Sequence, residues 1–258
     1  MKASCGIISA WLTQFLLVSA TFAGPLDNCQ EYTKMGVPSE QGTLLCRKGY
    51  ALAHNPEHKT PDWVAEHLTR EKALASMPRQ NFFMPDPDLK PGERAELADY
   101  KSSGFDRGHM APAGDMRWDM EAYAESFYLS NMVPQVGPRM NRGIWKALEA
   151  RVRKWVLTRG ELYIYTGPIY DSTVGALMTI GLNQVAVPTH LYKIAYDPEQ
   201  KEAIAFIMPN EELQTELMPI YIVSVDAVEE KTGLDFLSVL SKEDQDLIES
   251  KMPAALWK

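Results

Sequence analysis

Between residues 142 and 157, the apolar side chains Ile144, Leu148, Val152, Trp155 and Val156 recur at helical spacing with cations on the opposite face, and Gly160 follows as a stop. A stripe of that length predicts an amphipathic helix that must find a surface to cover. Residues 162–166, 186–194 and 203–208, rich in branched and aromatic types and bounded by turn signals, predict three strands that can supply it, with 196–201 as the hairpin loop joining the last two. Residues 221–225 add a further strand or edge, and 225–232 lead through Gly233 and Phe236 to a final helix at 242–251. Upstream, 50–53 predicts a short strand. The alternation of Trp63, Ala65 and His67 with Val64, Glu66 and Leu68 would suit a strand or a short helix, and a strand is preferred. Residues 82–91 hold three prolines and predict an irregular surface loop; 93–100 predicts a short helix or turn leading into a loop at 106–109; 119–126 predicts a helix. Helices and strands interleave without repeating βαβ units, which places the chain in the α+β class.

The ends and the charge add constraints. Lys2 is followed by an apolar run closing on small residues at Thr21-Phe22-Ala23, with Val18-Ser19-Ala20 as a second candidate cleavage site. This predicts a secretory signal over 1–23, a mature chain from about Gly24, and a periplasmic or secreted destination; an uncleaved anchor is the alternative. Nothing later approaches the roughly 20 apolar residues of a membrane span. Cys5 leaves with the signal, so Cys29 and Cys46 remain as a pair for one disulfide, closing a loop of about 18 residues worth roughly 3 kcal/mol and pinning an extension at 24–46; two free thiols are the competing reading. No C-x-x-C or His/Cys zinc spacing is present. With no repeat or low-complexity stretch, 47–258 reads as one domain.

The net charge of −8 sits badly with a polyanion ligand. Its distribution helps: Arg139, Arg142, Lys146, Arg151, Arg153, Lys154 and Arg159 face only Glu149 in their stretch, while acidic residues gather at 86–99 and 226–249. Such a run alone is usually a solvated helix face.

The chemistry concentrates at Asp106-Arg107-Gly108-His109, where an imidazole with an ordinary pKa near 6.5 follows an arginine and a glycine that lets the backbone bend. A neutral imidazole can take a proton from water. Asn131, Asn141, Glu149 and Arg153 lie downstream and offer oxygen donors and a second cation, the set a hard-metal phosphodiesterase needs. Each has a plain alternative: helix cap for Asn141, exposed ion pair for Glu149 and Arg153, core histidine for His109. No Gly-x-Ser-x-Gly elbow, Walker loop or dinucleotide glycine motif competes.

The ordered series Asp106-Arg-Gly-His109-Met-Ala-Pro-Ala, Tyr128-Leu-Ser-Asn131-Met-Val-Pro-Gln135, Met140-Asn141-Arg-Gly-Ile-Trp145-Lys-Ala-Leu-Glu149, Tyr165-Thr-Gly-Pro168 and Phe206-Ile-Met-Pro-Asn210 resembles the DNA/RNA non-specific endonucleases, relatives of endonuclease G among the ββα-metal (His-Me finger) nucleases. The resemblance covers about residues 47 to 245. It implies a central antiparallel sheet flanked by helices, His109 as general base, Asn141 as protein ligand of one Mg²⁺ or Mn²⁺, and Glu149 as an orienter of water at that ion. Arg107, Arg153 and Arg79 would hold phosphate, and Asp106 and Asn131 would support the loop and the water network. DNA and RNA are the implied substrates, cut with little sequence preference to leave 5′-phosphates; the resemblance leaves a protein inhibitor and the oligomeric state open. The rival from another class is a catalytically idle nucleic-acid- or protein-binding module on the same scaffold, which would have no need of a general base.

Overall fold

A computed structural model describes residue 1 and residues 24–78, 80–173 and 175–258. All but the first residue of the expected signal, and Arg79, lie outside the described residues. In chain order the strands are β1 (Thr43–Cys46), β2 (Ala51–Asn55), β3 (Thr60–Thr69), β4 (Phe105–His109), β5 (Met132–Val136), β6 (Glu161–Ile169), β7 (Thr179–Ile180), β8 (Val185–Ala186), β9 (His190–Asp197), β10 (Glu202–Pro209) and β11 (Ile222–Val223). The α-helices are α1 (Arg70–Leu74), α2 (Leu97–Tyr100), α3 (Met120–Glu125), α4 (Lys146–Arg159), α5 (Val225–Thr232) and α6 (Lys242–Glu249).

Seven strands form one sheet in the order β1-β2-β3-β6-β9-β10-β11, antiparallel at every pairing, and β4-β5 and β7-β8 are separate antiparallel pairs. The α+β class and the central antiparallel sheet are as the sequence predicts. Because side chains alternate across a strand, the sheet separates two cores. Val64, Leu68, Leu162, Ile164, Leu191 and Phe206 face a core shared with Ile144, Leu148, Val152, Trp155 and Val156 of the long amphipathic stretch. Trp63, Ala65, Tyr163, Tyr165, Tyr192 and Ile194 face a second core closed by α5, α6 and Phe236.

Several elements differ from the expectation. The stretch 24–46 is built into the fold rather than draped on it: β1 pairs with β2, and Cys29 and Tyr32 are buried in the second core, joined to the sheet by the Cys29–Cys46 disulfide. Residues 106–109 are strand β4, not a loop, because β5 pairs with them throughout. Gly108 therefore makes no bend. A Cβ there would lie 2.2 Å from Gln135 Oε1, so the glycine serves close packing against β5. The predicted strand at 186–194 divides into the end of β8 and the start of β9, with Pro188 between them. At the amino-terminal end of α4 the chain coils irregularly over Gly137–Trp145, with Pro138 extended and Arg139 at φ 57°.

Candidate active site

β4, α4 and the coil ahead of α4 border one open cleft of about 1000 Å³, lined among others by Phe83, Asp106, Arg107, His109, Asn141, Glu149 and Arg153. Arg107 and His109 are two residues apart on β4 and so share a face. Phe83, from the proline-rich loop, holds that face: its ring lies 4.2 Å from Arg107 Cζ and 5.6 Å from the His109 ring, while Phe127 meets His109 edge to face at 5.1 Å. Stacking of this kind fixes a guanidinium's plane without using up its N–H donors.

The β4–β5 pair stands outside the main sheet, and Asn210 fastens it there. Its Oδ1 accepts from Val136 N at 2.9 Å, and its Nδ2 donates to the carbonyls of Pro134 and Pro188, each at 3.0 Å. Asn131 has a comparable task. Fully buried, it accepts from Ala111 N through Oδ1 at 2.9 Å and donates through Nδ2 to the carbonyls of Ala111 and Ser126. Both ends of that amide are engaged by backbone, so Asn131 pins the chain just after His109. It does not line the cleft, and the expected part in a water network finds no support there.

Asn141 sits in the irregular coil rather than at a helix cap, half-buried, with Nδ2 donating to Asp106 Oδ2 at 2.9 Å. Arg142 Nε approaches the same oxygen at 3.0 Å. With its nitrogen committed to Asp106, the amide presents Oδ1 as its remaining donor to a cation. The site thus offers an amide oxygen and the carboxylates of Asp106 and Glu149, all hard donors, with no sulfur in the lining; that set fits Mg²⁺ or Mn²⁺.

Glu149 and Arg153 share a face of α4, as their spacing requires, but they do not form the exposed ion pair of the plain alternative. Arg153 instead binds Asp115 through NH1 at 2.5 Å, against a carboxylate that is fully buried. Beneath them the sheet contributes two charges in positions that otherwise carry apolar residues: Glu66 on β3, between Val64 and Leu68, and Lys193 on β9, between Leu191 and Ala195. Lys193 donates to Thr166 Oγ1 at 2.5 Å and lies 5.4 Å from the Trp145 ring. Glu66 is buried with neither carboxylate oxygen hydrogen-bonded among the described residues. Burial pushes the Glu149 carboxyl up to about 7; Lys193 opposes that rise, Asp115 adds to it, and Arg153 opposes it in turn. Burial also raises Glu66 and Asp115 and lowers Lys193. An acid and a lysine in phase with apolar neighbours are signals the sequence carried and the motif search passed over.

The cation cluster divides. Arg142, Lys146 and Arg153 line the cleft, joined by Lys101 and Arg117 from outside the cluster. Arg159 turns away, to Asp197 at 2.7 Å and Glu202 at 3.2 Å, with its guanidinium 3.8 Å from the Trp257 ring. Arg151 and Lys154 are exposed and do not line the cleft.

The comparisons with known proteins agree with this geometry. The chain is 37% identical over 226 residues to Nuclease C1 of Cunninghamella echinulata var. echinulata, covering 83% of this chain and 90% of that protein. It is 34% identical over 220 residues to human mitochondrial endonuclease G, covering 80% of this chain and 73% of the relative. A crystal structure of an EndoG/EndoGI complex, described in terms of EndoG inhibition, matches with TM-score 0.78 and 33% identity over 84% of this chain and 94% of the other. These matches correct the expectation of a periplasmic or secreted protein: the human relative and several others are mitochondrial nucleases, which points to mitochondria instead. The secretory reading rested on Lys2 as the only charge, the apolar run after it and the small residues that close it; of these features only the lack of acids is shared with mitochondrial leaders. The model of the DNA/RNA non-specific endonucleases matches residues 28–243, and the chain belongs to that family.

Proposed function

We propose that this protein is a divalent-metal-dependent endonuclease that hydrolyses phosphodiester bonds of DNA and RNA with little sequence preference, leaving 5′-phosphates. The observation that carries the reading is the convergence of His109 and Arg107 from β4, Asn141 and Asp106, and Glu149 and Arg153 from α4 on one cleft. His109, held between Phe83 and Phe127, accepts the proton of an attacking water. Arg107 and Arg153 receive the phosphate oxygens, and their fixed orientation places positive charge where the transition state gathers negative charge. Arg153 reaches the cleft from its Asp115 anchor. Asn141 Oδ1 would hold Mg²⁺ or Mn²⁺, with Asp106 fixing the amide and Glu149 orienting water beside it. When bound, the ion would neutralise charge on the phosphate and on the departing oxygen. Arg79 joins the phosphate-holding group only by the sequence resemblance.

The test is incubation of the purified protein with plasmid DNA and with RNA, with Mg²⁺ and with chelator. Both substrates should be cut, only in the presence of metal, and His109→Ala should be slower by the 10²- to 10⁴-fold typical of a lost general base. A His109→Ala protein that keeps a third of the wild-type rate would overturn the assignment.

A further inference from the structure

Nucleic-acid cleavage leaves the acidic stretch 226–249 without a use. Asp226 and Glu229 lie three residues apart on α5 and so on one face of it, and Glu249 ends α6 against them. One carboxylate oxygen from each lies within 4.8 Å of those of the other two. Lys242, whose charge acts on Glu229 and Glu249, has its Nζ on Asp246 at 2.8 Å. Glu229 does have one partner, since Oε1 accepts from Phe236 N at 2.7 Å. Glu249 is the telling member. It is 3% exposed, and its Oε1 has no hydrogen-bond partner among the described residues. Burial and the neighbouring carboxylates push the Glu249 carboxyl up to about 7, so keeping it charged against the other two, with no cation bonded to it among the described residues, is costly unless something positive occupies the space between them.

We propose that Asp226, Glu229 and Glu249 form a binding site for a hard divalent cation of the calcium class, apart from the catalytic cleft, that ties the end of α6 to α5. The donor set fits that ion: Ca²⁺ takes six to eight oxygens in flexible geometry at about 2.3–2.6 Å, whereas Mg²⁺ demands a near-ideal octahedron at about 2.1 Å and is seldom held by an all-protein cage. Asp226 is exposed, so water completes the six to eight oxygens Ca²⁺ takes. α6 reaches the second core through Ile248, the residue before Glu249, so the ion would tie the carboxyl-terminal helix to the main body.

The experiment uses the full chain carrying Asn141→Ala, which removes the proposed cleft ligand. Calcium binding is counted by equilibrium dialysis with ⁴⁵Ca²⁺, and melting is followed in chelator, CaCl₂ and MgCl₂. One bound Ca²⁺ and a melting temperature raised more by CaCl₂ than by MgCl₂ are expected. Adding Glu249→Gln should abolish both, while in chelator that variant should melt at or above its parent, because a buried charge is gone. Adding Asp226→Asn, an exposed change that leaves packing alone, should weaken calcium binding by about 10-fold. No calcium bound to the Asn141→Ala protein, or undiminished binding in the Asp226→Asn variant, would overturn the site.

Discussion

Asn141 donates from Nδ2 to Asp106 Oδ2 across 2.9 Å, joining a coil residue ahead of α4 to a residue of β4. The bond decides which end of the amide faces the cleft. Outer partners of a ligand typically matter by 10- to 100-fold in affinity or activity. Asp106→Ala should therefore raise the Mg²⁺ concentration needed for half-maximal rate by at least about 10-fold. A metal titration of plasmid cleavage checks it, and an unmoved midpoint would mean that Asp106 does not orient the ligand.

The acidic limb of the rate should report Glu149 as well as the His109 base. Burial holds its carboxyl at about 7, so below that pH the group is protonated and the rate should fall. Lys193 favours the charged form. Lys193→Met removes that help, and the limb should move to higher pH, with kcat at pH 7 falling more than KM rises. NMR titration of the Glu149 side chain in metal-free protein gives the same comparison without turnover. A variant that melts earlier but keeps the wild-type pH profile would make Lys193 a packing residue only.

Salt dependence should follow the cleft and not the cation run as a whole. Lys101 and Lys146 are exposed and line the cleft, while Arg159 is spent on Asp197 and Glu202. The double change Lys101→Ala, Lys146→Ala should flatten the plot of log affinity against log salt by up to about two units for duplex DNA, without regard to sequence. Arg159→Ala should leave the slope alone and lower the melting temperature. Filter binding on the His109→Ala protein measures both slopes; a reversed order would put the nucleic acid on another face.

Gly108→Ala tests the close approach of β4 to β5. The added methyl meets Gln135 Oε1 at 2.2 Å and Gln135 Cβ at 2.6 Å, so the strands must part. Overpacking of this kind costs about 1–3 kcal/mol, and Arg107 and His109 on either side should lose alignment. Denaturant melts and turnover together check this, and unchanged values in both would show that Gln135 swings aside freely.

The long amphipathic stretch and the strands that became β3, β6, β9 and β10 were legible because their periods match their burial. Trp63 alternating with Val64 sets two faces whatever the rest of the chain does. The strands β1, β4 and β5 were not legible. β4 is five residues with Asp, Arg, Gly and His among them, and only its pairing with Met132–Val136 makes it extended. In the site, the motif residues His109, Arg107, Asn141 and Glu149 come together as their order suggests. Asp115 could not be foreseen, because its link to Arg153 spans 38 positions and follows no spacing rule. Glu66 and Lys193 were visible as misfits in an apolar rhythm, and a search for misfits finds them where a search for motifs does not.

The alternation that separates the two cores has a genetic corollary. β3, β6 and β9 each write two messages in one strand, with Glu66, Thr166 and Lys193 on one parity and Trp63, Tyr165 and Tyr192 on the other. Inserting one codon partway along any of them would reverse every following side chain, sending tyrosines toward the cleft and charges into the aromatic layer. Along these strands the gene can drift by replacement, but a single-residue insertion or deletion would damage folding and chemistry at once.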